Sequence, residues 1–265
     1  MKPASAPAVF NRCNLSPWVM GDIEFQRHPQ PLEIEGVRRA DRRLFELLAE
    51  CPAPERRGEI FHDYVSVKFR LHEWAEHQAG ARSSLRSSYL RYLRNWGADS
   101  NGHAGAVLKT WVESRFGLAS TFHGGRLPHD PAALQRYHHD AMRGAAQTVG
   151  AMMQLDLLYT FCQDELARRF PGQTWRTLYR GTHDPSEYSL VDYGKTSRPR
   201  VLLNNLSSFT ADREVAWEFG SAVWKVEVPL QKIVFFSGLL PRHLLEGEAE
   251  YLVLGGEYEV VPLLY

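Results

Sequence analysis

Cysteine is scarce in this chain. Of 265 residues only Cys13, Cys51 and Cys162 are cysteines, and no two make a C-x-x-C pair. An odd, scattered set supports neither a disulfide framework nor a thiolate zinc cluster, so a reduced, cytoplasmic protein is the expectation. Long apolar runs are missing too. No stretch approaches the ~18 continuous apolar residues of a membrane span. The N-terminal MKPASAPAVFNRCNLSPW lacks the apolar core of a signal peptide. A soluble, intracellular protein without a membrane span is expected. Excess charge is also absent: Lys and Arg number 31, and Asp and Glu number 31. Net charge therefore draws the chain to neither nucleic acid nor an anionic surface, and no nucleic-acid partner is expected.

Several motifs are missing. There is no G-x-G-x-x-G and no G-x-x-x-x-G-K-[ST], so neither phosphate-cradling loop is signalled. There is no G-x-S-x-G nucleophile turn. His72 and His77 stand five apart, about 140° round a helix, and cannot share an ion. His138 and His139 are adjacent and splay apart on a helix. No metal is expected.

What is present divides the chain in two. Hydrophobic residues make up 44% and charged residues 23%, an ordinary globular composition long enough to bury a proper core. Up to about residue 33 the chain reads as an extended arm. It is rich in proline, but Trp18, Val19, Met20, Ile23 and Phe25 make it too apolar to prefer water. From Gly36 the spacing turns helical. Val37, Ala40, Leu44, Leu47 and Leu48 predict one helix ending at Pro52 and Pro54. Ile60 to Trp74, Leu85 to Trp96 and Val107 to Phe116 predict three more, with Gly97 and Gly117 as stops. The longest helical pattern runs from Pro131 to about Arg169, N-capped by Asp130. Its Met142, Ala145, Ala146, Val149, Met152, Met153, Leu157 and Phe161 form a stripe that core packing explains best.

After Gly172 β-formers take over. Strands are expected over 174–180, 201–209, 222–228, 233–236, 251–254 and 258–264. A short helix capped by Thr210 is expected between the second and third. The fold class is therefore α+β: a helical N-terminal region, residues 1–172, followed by a mainly antiparallel β region, residues 173–265, together one compact unit. Charge is uneven. Between Arg56 and Arg94 there are eight Lys/Arg and four Asp/Glu, while the last 25 residues carry five Glu and one Arg. The basic stretch with Arg86, Arg91 and Arg94 is a candidate docking face for an acidic partner, though ordinary surface variation accounts for it as well.

Three short signals lie in order on the β region. Arg180 ends a strand beside Gly181, where a guanidinium forks onto a phosphate and the glycine lets a ligand approach the backbone. Ser207-Ser208-Phe209-Thr210 offers hydroxyls and an aromatic face at a strand end. Glu246, Glu248 and Glu250 alternate before the strand that starts at Tyr251. Three like charges on one strand face gain nothing for folding, but a solvated strand entrance explains them as readily as a site.

Arginine, then Ser-x-Thr, then Glu-x-Glu, in that order on strands, resembles the arginine-serine-glutamate class of mono-ADP-ribosyltransferases. Asn11-Arg12-Cys13-Asn14-Leu15, Glu24 to Leu32 and Arg43 to Leu48 look like the N-terminal part of the dinitrogenase reductase ADP-ribosyltransferase family, so the resemblance covers most of the chain. It implies an ADP-ribosyltransferase-like core and an enzyme that moves ADP-ribose from NAD to an arginine of the nitrogenase iron protein, switching off nitrogen fixation. NAD is a substrate in that reaction. A PII signalling protein is a further partner implied by the resemblance only. Glu250 would stabilise the oxocarbenium-like centre and hold the ribose 2′-hydroxyl. Glu248 would orient the acceptor guanidinium. Arg180 and Gly181 would take the NAD phosphates, and Ser208 would fix Glu250 and the ribose. Phe209 would stack near nicotinamide or pack in the core, and Thr210 stands where the class often has serine. Glu246 and Glu248 also form a Glu-x-Glu; Glu250 is chosen because it directly precedes the strand. The rivals are an NAD glycohydrolase of the same fold and a non-catalytic helical interaction protein with a degenerate nucleotide pocket.

Overall fold

The structure is a computed structural model that describes residues 11–71, 88–145, 149–183, 189–190, 198–241 and 250–263. The arm is not extended throughout. It forms two short helices, α1 (Pro17–Gly21) and α2 (Ile23–Arg27). Pro17 suits the first turn of α1, and Asp22 caps α2 by accepting from the Glu24 amide at 2.8 Å. Local proline content hides this, because the turns are stabilised by burying Met20, Ile23 and Phe25 against the rest of the chain. Gln26 completes the anchoring. Its amide donates to the carbonyls of Glu227 (3.0 Å) and Glu259 (3.3 Å), and its carbonyl oxygen accepts from the Glu259 amide (2.7 Å).

The helix expected from Gly36 breaks at Asp41 into α3 (Val37–Ala40) and α4 (Arg42–Glu50). Asp41 is buried there and accepts from Tyr64 and Lys68, a tertiary demand that outweighs continuity. Then come α5 (Pro54–Lys68), α6 (Tyr89–Ala98) and α7 (His103–Phe116), the last stopped by Gly117 at φ 69°. Trp74, Leu85 and Arg86 lie outside the described residues. The long helical pattern yields α8 (Pro131–Ala145), capped by Asp130, and α9 (Val149–Arg169). Its methionine stripe is not core throughout: Met142 is 66% exposed and Met153 44%. Leu157 and Phe161 of the stripe are buried, and Leu155, Leu158 and Cys162 fill the interior beside them, because α9 is surrounded and buries more than one face.

The β region forms one antiparallel sheet in the order β5-β6-β3-β1-β4-β7, with β2 (Ser189–Leu190) beside β3. Its strands are β1 (Trp175–Thr182), β3 (Arg200–Thr210), β4 (Ala222–Pro229), β5 (Ile233–Phe236), β6 (Glu250–Glu259) and β7 (Val261–Leu263). This is the expected α+β class. Two details differ from the sequence reading. Strand β6 runs through the expected break after residue 254 to Glu259, leaving β7 as the rest of the expected 258–264 strand, because β3 bulges at Asn204–Asn205 opposite Gly255 and pairing resumes on both sides. A Cβ on Gly255 would meet the Asn204 carbonyl oxygen at 2.0 Å, so the glycine is what lets the bulge fit. The short helix α10 (Arg213–Glu218) is capped by Asp212, not Thr210. Thr210 is the last residue of β3, and its hydroxyl accepts from the Asp212 amide.

A single apolar cluster runs from the helices into the sheet. Phe61 stacks on Phe161 at 4.4 Å, and α9 lies on β5 with Cys162 and Gln163 donating to the Ile233 carbonyl. All three cysteines are free thiols. Among the described residues no helix is long and apolar enough to cross a membrane.

Candidate active site

The sheet is nearly split. Strands β1 and β3 share one paired position, Tyr179 opposite Thr210, whereas β1–β4 and β3–β6 pair along most of their length. Where pairing stops, the strands diverge and a cavity of about 410 Å³ opens between them. Its walls bring together Arg180, Gly181 and Thr182 of β1, Ser208, Phe209 and Thr210 of β3, and Glu250 of β6. The helical region closes the remaining side with Trp96 to Ser100.

Strand geometry explains the grouping. Glu250 pairs with Thr210, so Ser208, two residues back along β3, is its diagonal neighbour on the same face. The Ser208 hydroxyl donates to Glu250 Oε1 at 2.7 Å. The same hydroxyl accepts from the Trp96 indole N–H at 2.8 Å. From across the split the Arg180 guanidinium donates to the Ser208 carbonyl at 2.5 Å and lies 5.9 Å from the centre of the Phe209 ring. Phe209 is 3% exposed and belongs to the apolar core while still lining the cavity, so its packing role is evident in the fold. Gly181 has a packing reason of its own. A Cβ there would lie 2.1 Å from the Ala216 carbonyl oxygen, so the glycine lets α10 seat against β1. Of the alternating acids only Glu250 can be placed; Glu246 and Glu248 lie outside the described residues.

Three contributors have no mark in the sequence reading. Trp96 reads there only as one apolar position on a helix. Thr182 is 4% exposed at the cavity wall, and its hydroxyl has no hydrogen-bond partner among the described residues, a place for a ligand to supply one. Phe219, 47% exposed, sits at the cavity mouth.

Behind Ser208 a smaller cavity of about 110 Å³ shares Trp96, Arg180 and Ser208 with the first and reaches Lys109. Lys109 is 1% exposed; burial pulls its amine down to about 7. The amine donates to the Phe122 carbonyl at 2.9 Å and lies 3.3 Å from His123 Nδ1, whose other nitrogen is 3.2 Å from Asp140. Burial and the neighbouring Lys109 hold His123 below the ordinary histidine value. For Asp140 burial acts upward, yet hydrogen bonds from His123 and His139 prevail and hold it low. Among the described residues no three His, Cys, Asp or Glu side chains are grouped to hold a metal ion.

Arg180, Ser208 and Glu250, the three residues on which the resemblance turned, line one sheet cleft. The chain belongs to the dinitrogenase reductase ADP-ribosyltransferase family, whose profile it matches over residues 10–261. It is 43% identical over 244 residues to the NAD(+)--dinitrogen-reductase ADP-D-ribosyltransferase of Rhodospirillum rubrum, covering 89% of this chain and 88% of that protein. No solved structure matches it.

Proposed function

We propose that this protein transfers ADP-ribose from NAD to an arginine of dinitrogenase reductase. Family membership along nearly the whole chain carries the reaction, and the Ser208–Glu250 hydrogen bond in the sheet cleft supports the site. In the transfer, the bond between ribose C1′ and nicotinamide breaks and its electron pair leaves with nicotinamide. An arginine nitrogen forms the new bond to C1′, and its proton is lost. Positive charge builds on the ribose before the new bond is complete, and a carboxylate fixed in a cleft stabilises it with no reorganisation.

Glu250 is the carboxylate for that task and for the ribose 2′-hydroxyl. Ser208 holds it through Oε1. Arg180 reaches the same cleft with its guanidinium and takes the NAD phosphates, where its forked donors fit best. Gly181 and Thr210 line the phosphate and ribose side, with Phe209 beneath them. Glu248 orients the acceptor guanidinium and receives its proton. The exposed Arg91 and Arg94 on α6 belong to the docking face for the protein substrate. A PII signalling protein is a second partner, supported only by the family resemblance.

The test is transfer of label from adenine-labelled NAD to purified dinitrogenase reductase, wild type against Glu250→Gln. The expected result is label on an arginine with wild type and a loss of roughly 100- to 1000-fold with the variant, the scale of removing one preorganised electrostatic contact. Free ADP-ribose without protein label would move the function to NAD hydrolysis. Equal labelling by both proteins would remove Glu250 from the chemistry.

A further inference from the structure

The Ser208 hydroxyl has one hydrogen and two neighbours. An indole N–H donates and has no acceptor capacity. Because Trp96 donates to Ser208 Oγ, the serine hydrogen must point elsewhere, and the partner in line is Glu250 Oε1. Without that donor the hydroxyl would be free to turn and to accept from another group. Trp96 is itself held firmly. It is 3% exposed, on the face of α6 that also buries Tyr89, Tyr92 and Leu93. The next residue, Gly97, borders the same carboxylate: a Cβ built there would be 3.9 Å from Glu250 Oε2. The end of α6 therefore reaches Glu250 through the Ser208 hydroxyl.

We propose that Trp96 is a positioning residue whose indole N–H locks the Ser208 hydroxyl as a donor to Glu250, keeping that carboxylate aimed into the cleft. The helical region is then part of the catalytic apparatus and not only a docking surface. This rests on the transferase reading above and deepens it. A buried indole N–H usually finds an acceptor; here the acceptor is the hydroxyl that holds the proposed catalytic glutamate.

The experiment measures NAD turnover and arginine transfer for Trp96→Phe, Ser208→Ala and the double variant. A fourth protein carries benzothienylalanine at position 96, which replaces the N–H by sulfur and keeps the ring volume. Both Trp96 substitutions should lower kcat roughly tenfold, the scale of one hydrogen bond serving a charged group, with little change in the KM for NAD. The acid limb of the kcat/KM profile should move to higher pH in both, and in Ser208→Ala, since a carboxylate that loses a donor protonates more readily. The double variant should be no slower than Ser208→Ala, because Trp96 acts through that hydroxyl. Wild-type kcat and an unmoved pH profile in the benzothienylalanine protein would overturn the proposal, even if Trp96→Phe fails to fold. So would losses that multiply in the double variant. Failure of the transferase reading would show separately, as absence of arginine labelling by the wild type.

Discussion

Around the helices, buried charge is mostly paired, Lys109 being the exception. Arg57 and Glu165 are 4% and 1% exposed, and a second arginine, Arg169, shares the glutamate at 3.0 Å. Arg115 grips Asp156 with two donors at 2.8 and 3.0 Å, and Trp111 donates to the same carboxylate. In the sheet the same depth is filled by Val201, Leu203, Val226, Ile233, Val253 and Leu254, all at most 1% exposed. The difference follows from what fixes each half. Strands are held in register by their backbone ladder, and a slip of one residue would turn the apolar face outward. Helices satisfy their backbone internally, so their rotation against each other is left to side chains. Directional buried pairs such as Arg57–Glu165 and Arg115–Asp156 link helices at defined rotations, a constraint that apolar contacts do not impose.

The largest expected effect lies on the helical side. Glu165→Ala leaves two arginines facing an empty site and should cost about 3–5 kcal/mol, read as a lower midpoint in urea unfolding. A cost below about 1 kcal/mol would mean that the pair adds little, and the contrast between the halves would lose its basis. In the catalytic cleft, Glu250→Gln and Trp96→Phe come next, with the losses given above.

Lys232 is the exception that sharpens the comparison. Among the described residues from 173 onward it is the buried charged side chain. It donates to the Gly255 carbonyl at 3.0 Å and lies 4.5 Å from the Tyr258 ring centre. Burial lowers its amine from 10.5 to about 7. Below that range both folded and unfolded chains hold the proton and the full burial penalty applies. Between about 7 and 10.5 the unfolded chain binds more protons than the folded one, so this group makes stability rise with pH. The slope is at most about 1.4 kcal/mol per pH unit. Lys232→Met should remove that slope, seen as the difference between wild-type and variant unfolding free energies across the window. An unchanged difference would mean that Lys232 stays charged in the fold. The smallest effect is expected at Trp18, 83% exposed on α1. Trp18→Ser should change stability by less than about 0.5 kcal/mol, checked by thermal melting; a larger loss would show that the arm packs more tightly than its surface suggests.

Much of this was legible in residue order because the signals are local. Asp130 at the start of α8, Gly117 at the end of α7 and the alternation of β4 each depend on neighbours within a turn or two. Arg180, Ser208 and Glu250 stand near strand ends, and it was the family resemblance that singled them out from other polar residues there. The failures share a cause as well. Thr210 looks like a helix cap, but one more residue of pairing with β6 keeps it in the strand. Gly255-Gly256 looks like a break, but it accommodates a bulge in a partner some 50 positions away in the chain.

Residue order set the class of each half and most helix and strand identities, and with the family resemblance it nominated the three side chains used in the proposed chemistry. The tertiary structure alone decided that β1 and β3 part after a single paired position and open a cleft there. It alone placed Trp96 against Ser208, 112 residues away, and sank Lys109 beneath the same site. The reason is physical. Caps and periodicity are set by bonds a few residues long, whereas a cleft and its hydrogen-bond polarity exist only once distant strands and helices have been packed together.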